Sequence, residues 1–256
     1  MRPVNKREFA AGQAEYHPYG TAKNDLISAL GGYCSYCERQ SYSCGIDVEH
    51  IKHKRRYANR ATLWSNFLLA CKNCNSVKGT QPVKGMFFPT ISDTFRIFAY
   101  HQDGRVDVNQ AFLTQPADRQ KAQALIRLVG LDRRPGHPDY SAKDKRWSDR
   151  KQTWALAQRY LVHYQAGNID TQVIIDLAKL SGGWSIWMTV FKYLPPVLTR
   201  LINEFPATRA SYFIHYLQPK PRPVATPAET VSMPTGAVNP PPTGMDTDQA
   251  PRPLQR

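Results

Sequence analysis

Two short cysteine motifs, Cys34-Ser-Tyr-Cys37-Glu38 and Cys71-Lys-Asn-Cys74-Asn75, decide how this chain is expected to fold. A C-x-x-C turn points both of its sulfur atoms the same way, so two such turns supply the four thiolates of one tetrahedral zinc ion. The spacing therefore predicts a structural Zn²⁺ bound by Cys34, Cys37, Cys71 and Cys74. A carboxylate stands next to a histidine, at Glu49-His50, in the loop that this zinc would close.

The segments around the cysteines have the patterns of short helices and strands. Residues 21–30 place apolar side chains at helical spacing and stop at a glycine pair, which predicts a helix leading into the first motif. Residues 46–51 alternate as a strand does, which puts Asp47 and Glu49 on the face opposite His50. Three further elements are predicted: a polar loop at 52–62, a strand at 63–70 and a short helix at 73–78.

The composition favours a globular protein with a polyanionic partner. The 256 residues carry 34 Lys and Arg against 20 Asp and Glu, a formal net charge of +14. Basic excess is typical of nucleic-acid binding, because neutralising phosphates releases counterions. No apolar run is long enough to span a membrane, and the N-terminal stretch lacks the apolar segment of a signal peptide. We therefore expect a cytoplasmic protein, in which metal binding explains cysteines better than disulfides do.

Taken together, these motifs resemble the HNH endonuclease superfamily, and within it the PtuB-type nucleases of Septu and retron anti-phage systems. The resemblance is carried by C-x-Y-C-E at 34–38, E-H-I at 49–51, W-x-N-x-L-L-x-C-x-x-C-N-x-x-K-G at 64–79 and F-F-P at 87–89. It extends more weakly to the helix that ends at Gly130-Leu131-Asp132. It implies an α+β fold with a zinc-stapled ββα-metal nuclease core.

The chain is expected to divide into four parts. They are a lead-in at 1–20, a zinc-bound HNH nuclease domain at 21–110, a mostly α-helical domain at 111–217 and a disordered Pro-rich tail at 218–256. The tail holds ten of the chain's 20 prolines and almost no large apolar residues, so it cannot bury a core.

Apolar periodicity predicts the elements that follow the cysteine motifs. Strands are expected at 86–91, 94–100 and 105–108, the last two joined by an Asp-Gly hairpin turn. Helices are expected at 117–129, 144–166, 170–180, 185–193 and 196–204.

The resemblance implies a role for each residue of the site. His50 matches the general base, and the near-neutral pKa of histidine suits removal of a proton from water. Glu49 and Asn75 match the positions that hold the catalytic divalent ion, with Asp47 as a further ligand or orienting group. Asn66 matches the residue that ties the loop backbone so that the histidine is aimed correctly. Oxygen donors of this kind favour Mg²⁺ or Mn²⁺.

Five basic residues beside the site are candidates for binding the phosphate backbone of DNA or RNA: Lys52, Lys54, Arg55, Arg56 and Lys78. The alternative for the loop residues is a solvated surface without a ligand. The resemblance also implies a PtuA-like ATPase partner, and the chain itself has no G-x-x-x-x-G-K-[ST] nucleotide loop.

Two other functions stay open at this point. The first is a non-catalytic zinc-knuckle protein that binds nucleic acid or serves as an adaptor. The second is an HNH homing or restriction-type nuclease outside defence.

Overall fold

The computed structural model describes residues 1–6, 13–41 and 45–214. These residues belong to one compact unit, Met1–Pro219. The tail predicted to be disordered, 218–256, lies outside the described residues. In the part of the chain that is described, no helix combines the length and the apolar character needed to cross a bilayer.

The described residues form a mixed α/β architecture of short helices and two small sheets. The strands are β1 (Ile46–His50), β2 (Phe67–Cys71), β3 (Phe98–Tyr100) and β4 (Val106–Val108). The helices are α1 (Lys23–Leu30), α2 (Lys72–Lys78), α3 (Thr94–Ile97), α4 (Pro116–Val129), α5 (Arg146–Gln165), α6 (Thr171–Ser181), α7 (Trp184–Val190) and α8 (Pro195–Glu204).

The first sheet and the helix that follows it carry the second cysteine motif. β1 pairs antiparallel with β2, so that Ile46 lies opposite Cys71 and His50 lies opposite Phe67. α2 begins at the residue after β2, and the three elements form a ββα unit. The predicted first strand and the predicted helix at 73–78 are therefore confirmed to within one residue.

The second strand begins later than the prediction of 63–70. Trp64–Asn66 form a single 3₁₀ turn, and β2 starts only at Phe67. All five residues of β2 are buried. A strand buried on both faces has a continuous apolar sequence, which is why its start could not be located by alternation.

One of the strand predictions after this unit is wrong, and another is right only in its second half. Residues 86–91 form irregular backbone and a turn instead of a strand, and the two amides that follow Thr90 both donate to the carbonyl of Phe88. Residues 94–97 form α3, because the carboxylate of Asp93 accepts from a backbone N–H in its first turn. The hairpin itself is confirmed: β3 pairs antiparallel with β4, and Gly104 turns the chain with a φ of +82°.

All five helices predicted after residue 116 are present, as α4 to α8. Their ends agree with the prediction to within two residues, except that α7 ends at Val190 and not at residue 193. α4 ends at Gly130, whose left-handed backbone closes the last turn. Glycine and proline therefore predicted these boundaries well.

Two hydrophobic cores lie within the compact unit. The first gathers buried side chains from α1, α2, α4 and both sheets, and the second gathers those of α5 to α8. Met1 and Val4 belong to the first core, and Val4 forms a β-bridge with Thr208. Helix α4, which follows residue 110, packs in the first core, and both cores belong to one compact unit. The domain boundary at residue 110 therefore stays a prediction.

Glu38, which directly follows the first cysteine motif, connects this motif to α7. It has a left-handed φ of +61° and is 4% exposed. Its carboxylate accepts hydrogen bonds from the backbone N–H (2.9 Å) and the hydroxyl (2.7 Å) of Ser185. Its carbonyl accepts from the N–H of Gly183 at 3.0 Å. The two segments approach so closely that a Cβ on Gly182 would lie 2.5 Å from this carbonyl oxygen.

We predict that Gly182→Ala destabilises the protein by about 2–4 kcal/mol, because the new methyl group meets backbone atoms and the φ of +68° is strained for alanine. The measurement is urea unfolding of both proteins. Gly20→Ala is the matched control, since a Cβ at Gly20 meets nothing within 4 Å. Equal unfolding midpoints for the two variants would show that the approach is not tight.

Candidate functional site

Four cysteine side chains converge where the two motifs meet. Cys34 and Cys37 follow α1, Cys71 ends β2, and Cys74 lies in the first turn of α2. All four are buried, and their Sγ atoms lie within 4.8 Å of one another. The Sγ atoms of Cys37 and Cys71 are 3.7 Å apart. Sulfur atoms at the usual zinc distance in a tetrahedral site are separated by about 3.8 Å, so the cluster fits a structural Zn²⁺.

Asp47 and Asn75 bring two oxygen-bearing side chains together beside this cluster. Asp47 lies on β1 and Asn75 on α2, and both are partly exposed. The amide nitrogen of Asn75 lies 3.5 Å from a carboxylate oxygen of Asp47. A carboxylate and an amide oxygen are the donors that hard divalent cations prefer. In the observed orientation the amide N–H of Asn75 faces Asp47, so joint ligation of Mg²⁺ or Mn²⁺ requires the Asn75 amide to turn its Oδ1 toward the ion.

Glu49 lies deeper and is held by other groups. Its side chain is 3% exposed, and Oε1 lies 2.7 Å from the Nζ of Lys78, which is fully buried. The hydroxyl of Tyr36 donates to the same oxygen at 3.2 Å. Burial raises the pKa of Glu49, while the charge of Lys78 acts in the opposite direction. The Oε1 atom of Glu49 therefore reaches a metal ion only by giving up its contacts with Lys78 and Tyr36.

Lys78 occupies an interior position that its sequence context did not indicate. Besides the contact to Glu49, its Nζ donates to the backbone carbonyl of His50 at 2.7 Å. The ammonium thus connects α2 to the last two residues of β1. In this arrangement Lys78 has no exposed surface to offer a phosphate, in contrast to the expected role.

His50 is held by one ring nitrogen. Nε2 lies 2.9 Å from the backbone carbonyl of Ala61, and a carbonyl only accepts, so Nε2 carries the hydrogen. In the neutral ring this leaves Nδ1 with a free lone pair. Burial lowers the pKa of His50, and the charge of Lys54 acts in the same direction. The imidazole is therefore neutral near pH 7, the state that a general base requires.

Asn66 closes the loop between β1 and β2. Its side chain is buried and makes three hydrogen bonds to backbone atoms: from the N–H of Lys52 (2.8 Å), to the carbonyl of Lys52 (2.9 Å) and to the carbonyl of Arg60 (2.9 Å). Buried amides that satisfy several backbone groups fix loop geometry. Asn66 therefore sets the path of the chain directly after His50.

The basic loop residues lie in the segment that follows His50, whose own side chain is buried. Lys54 lies 4.2 Å from the ring centre of Tyr19 and donates to its hydroxyl at 3.1 Å. Lys52 lies 5.5 Å from the ring centre of Tyr57. Arg55 and Arg56 are exposed. Within residues 1–6, 13–41 and 45–214, none of these four cations forms an ion pair with a carboxylate, so their charge is available to a polyanion.

Sequence reasoning missed Tyr19 and Tyr36. Tyr19 lies in the segment expected to be an extended lead-in, yet its ring packs edge-on against His50 with centroids 4.7 Å apart. Tyr36, between the cysteines of the first motif, is buried and holds Glu49. The available signal was an aromatic residue at a position where a loop is expected to be polar. It did not indicate which residue each ring contacts.

We predict that the full chain binds one zinc ion and that Cys71→Ser abolishes this binding and lowers the melting temperature, because a structural zinc site stabilises the fold that forms it. Zinc content after chelator treatment and thermal unfolding are the two measurements. Cys44→Ser is the matched control, since it removes the one cysteine outside the two motifs. Full zinc content in Cys71→Ser would contradict the site.

We also predict that Lys78→Met costs about 3–5 kcal/mol of stability, because it leaves the carboxylate of Glu49 buried without its cation. Lys72→Met, an exposed lysine on the same helix, is expected to change stability by less than about 0.5 kcal/mol. Denaturant unfolding compares the two. A small loss for Lys78→Met would mean that Glu49 is protonated or solvated in the folded protein.

Residues 34–81 match the family model described as HNH endonuclease. A search of curated proteins finds no match to the chain. The matched segment contains both cysteine motifs together with His50, Asn66 and Asn75. It therefore supports the HNH superfamily for this segment and a nuclease-type function for the protein.

Proposed function

We propose that this protein is a metal-dependent HNH endonuclease that hydrolyses phosphodiester bonds of DNA or RNA. The proposal rests on the orientation and the neutral charge of the His50 ring, which lies within the segment that matches the HNH model. Its hydrogen bond to Ala61 orients the ring and leaves a lone pair on Nδ1. A neutral, oriented imidazole is the group that removes a proton from an attacking water.

The reaction begins with that proton transfer. Nδ1 of His50 accepts a proton from water, and the resulting hydroxide oxygen attacks the phosphorus atom while the bond to the leaving oxygen breaks. The leaving oxygen takes a proton from solvent, and His50 releases its own to solvent, which restores the neutral ring. Asn66 keeps the loop after His50 in place, so the ring does not have to be ordered during the reaction. Tyr19 restricts the ring from one side.

Asp47 and Asn75 would hold the catalytic divalent ion, with Glu49 as a further ligand if it exchanges Lys78. When bound, Mg²⁺ or Mn²⁺ supplies charge stabilisation to the phosphate and the leaving oxygen. Asp47 and Asn75 support this assignment because both are partly exposed and approach each other across β1 and α2. Glu49 supports it less, since its Oε1 is already in contact with Lys78 and Tyr36.

Binding of the substrate is assigned to the loop between β1 and β2. Lys52, Lys54, Arg55 and Arg56 place positive charge near His50, and the chain as a whole carries a net charge of +14. Contacts to phosphate oxygens position a nucleic acid without reading its sequence. This favours a nuclease whose affinity falls steeply as the salt concentration rises.

One observation favours a second function, a zinc-knuckle protein that binds nucleic acid without cutting it. The contact between Lys78 and Glu49 places an ammonium against a carboxylate that the family resemblance expects to bind the metal ion. If this contact persists with substrate bound, Asp47 and Asn75 are the remaining protein ligands of the divalent ion. The basic loop would serve such a binding protein equally well.

The cellular role is proposed from the motif resemblance alone. C-x-Y-C-E, E-H-I and the motif at 64–79 are similar to PtuB-type nucleases, which supports an anti-phage effector that works with a PtuA-like ATPase. Co-purification with the product of an adjacent ATPase gene tests this role. An adjacent methyltransferase gene or an intron context would instead favour a restriction-type or homing nuclease.

We predict that His50→Ala lowers cleavage by about 100-fold or more while zinc content stays at the wild-type value, because the change removes the general base and leaves the four cysteines in place. The melting temperature is expected to fall somewhat, since the buried ring also packs against Tyr19 and Phe67. Plasmid DNA and structured RNA are incubated with Mg²⁺ or Mn²⁺, with and without the proposed partner. His53→Ala is the matched control in the same loop and is expected to keep most of the activity. A wild-type protein that binds both nucleic acids but cuts neither would establish the second function.

A further inference from the structure

A buried arginine from the helical part of the chain contacts the four-cysteine cluster. Arg146, the first residue of α5, is 2% exposed. Its Nη1 lies 3.1 Å from the Sγ of Cys74. The same guanidinium donates to the carbonyls of Val129 (2.6 Å) and Gly130 (3.1 Å), at the end of α4. One side chain therefore joins the cluster to two helices that follow it far along the chain.

The guanidinium is held in a fixed orientation. Asp144 contacts it through both carboxylate oxygens, at 2.9 Å to Nε and 2.6 Å to Nη2. A guanidinium fixed by a bidentate carboxylate loses little entropy when its remaining N–H group binds another acceptor. The Nη1 group of Arg146 is therefore preset toward Cys74.

The negative charge of a zinc-bound cluster is a physical reason for this contact. Four thiolates around one Zn²⁺ carry a net charge of −2, and burying that charge is costly unless it is compensated. Arg150, one turn further along α5, adds positive charge from the same side. It is buried and donates to the carbonyls of Gly104 (2.8 Å) and Leu131 (2.9 Å), and its Nη1 has no hydrogen-bond partner among the described residues.

We propose that Arg146 is a positioning residue of the zinc site. It donates an N–H···S hydrogen bond from the start of α5 to the Cys74 thiolate, and this bond helps the four cysteines to retain the metal. The proposal concerns the structural metal and does not depend on nuclease activity. Hydrogen bonds to metal ligands commonly change metal affinity by about 10–100-fold. It follows that the helical part of the chain contributes to a metal site whose ligands all precede it in the sequence.

The first test measures zinc affinity of the full chain by competition with a chromogenic chelator. Arg146→Met is expected to weaken binding by about 10–100-fold. Arg146→Lys, which keeps the charge but loses the two-pronged contact to Asp144, is expected to fall between Met and wild type. Arg159→Met is the matched control, an exposed arginine on the same helix, and is expected to bind zinc as wild type does.

The second test measures the electron density on the thiolate sulfur, from the absorption spectrum of protein loaded with Co²⁺ in place of zinc. A hydrogen bond withdraws electron density from the thiolate, so its loss is expected to move the thiolate-to-cobalt charge-transfer band to longer wavelength. A role limited to packing would not move this band. Zinc affinity within about twofold of wild type, together with an unchanged band in Arg146→Met, would overturn the proposal. If the Met variant does not fold, the same two readings on Arg146→Lys decide it.

Discussion

The convergence of four sulfur atoms on one point is the constraint on which the rest of this structure depends. Cys37 and Cys71 are separated by 33 residues in the sequence, yet their Sγ atoms lie 3.7 Å apart. A metal at this point would fix both ends of the intervening loop, and the β1–β2 pair would be held inside it. That pairing sets where His50 and Asp47 lie relative to α2. The positions of these candidate residues on β1 and α2 therefore depend on how the cysteine motifs meet.

Side-chain contacts with α5 and α7 connect the helical part of the chain to the four-cysteine cluster. Glu38 binds the start of α7, and Arg146 reaches Cys74 from the start of α5. Arg39 forms a further ion pair with Asp149 of α5. Each of Glu38, Arg39 and Arg146 lies within two positions of a cysteine or in contact with one. Movement of the helical part would therefore change the surroundings of the cluster, and metal binding would in turn stabilise the packing of the helices.

Sequence patterns predicted the local features of this protein and failed at the distant contacts. Cysteine spacing predicted the cluster, and glycines and prolines predicted α4 to α8, because these signals act within a few residues. The interior position of Lys78 could not be predicted, since α2 exposes its first residue, Lys72, and buries its last, Lys78, according to what packs on each side. The contacts of Tyr19 and Arg146 depend on segments far apart in the chain, for which one sequence carries no signal.

The most direct test of the central claim is X-ray absorption at the zinc edge of the full chain purified with its metal. Our account predicts a single shell of four sulfur atoms at about 2.3 Å from zinc. A shell that contains two or more nitrogen or oxygen atoms, or a protein that folds fully without any metal at this position, would contradict the proposed staple and the account of the site built on it.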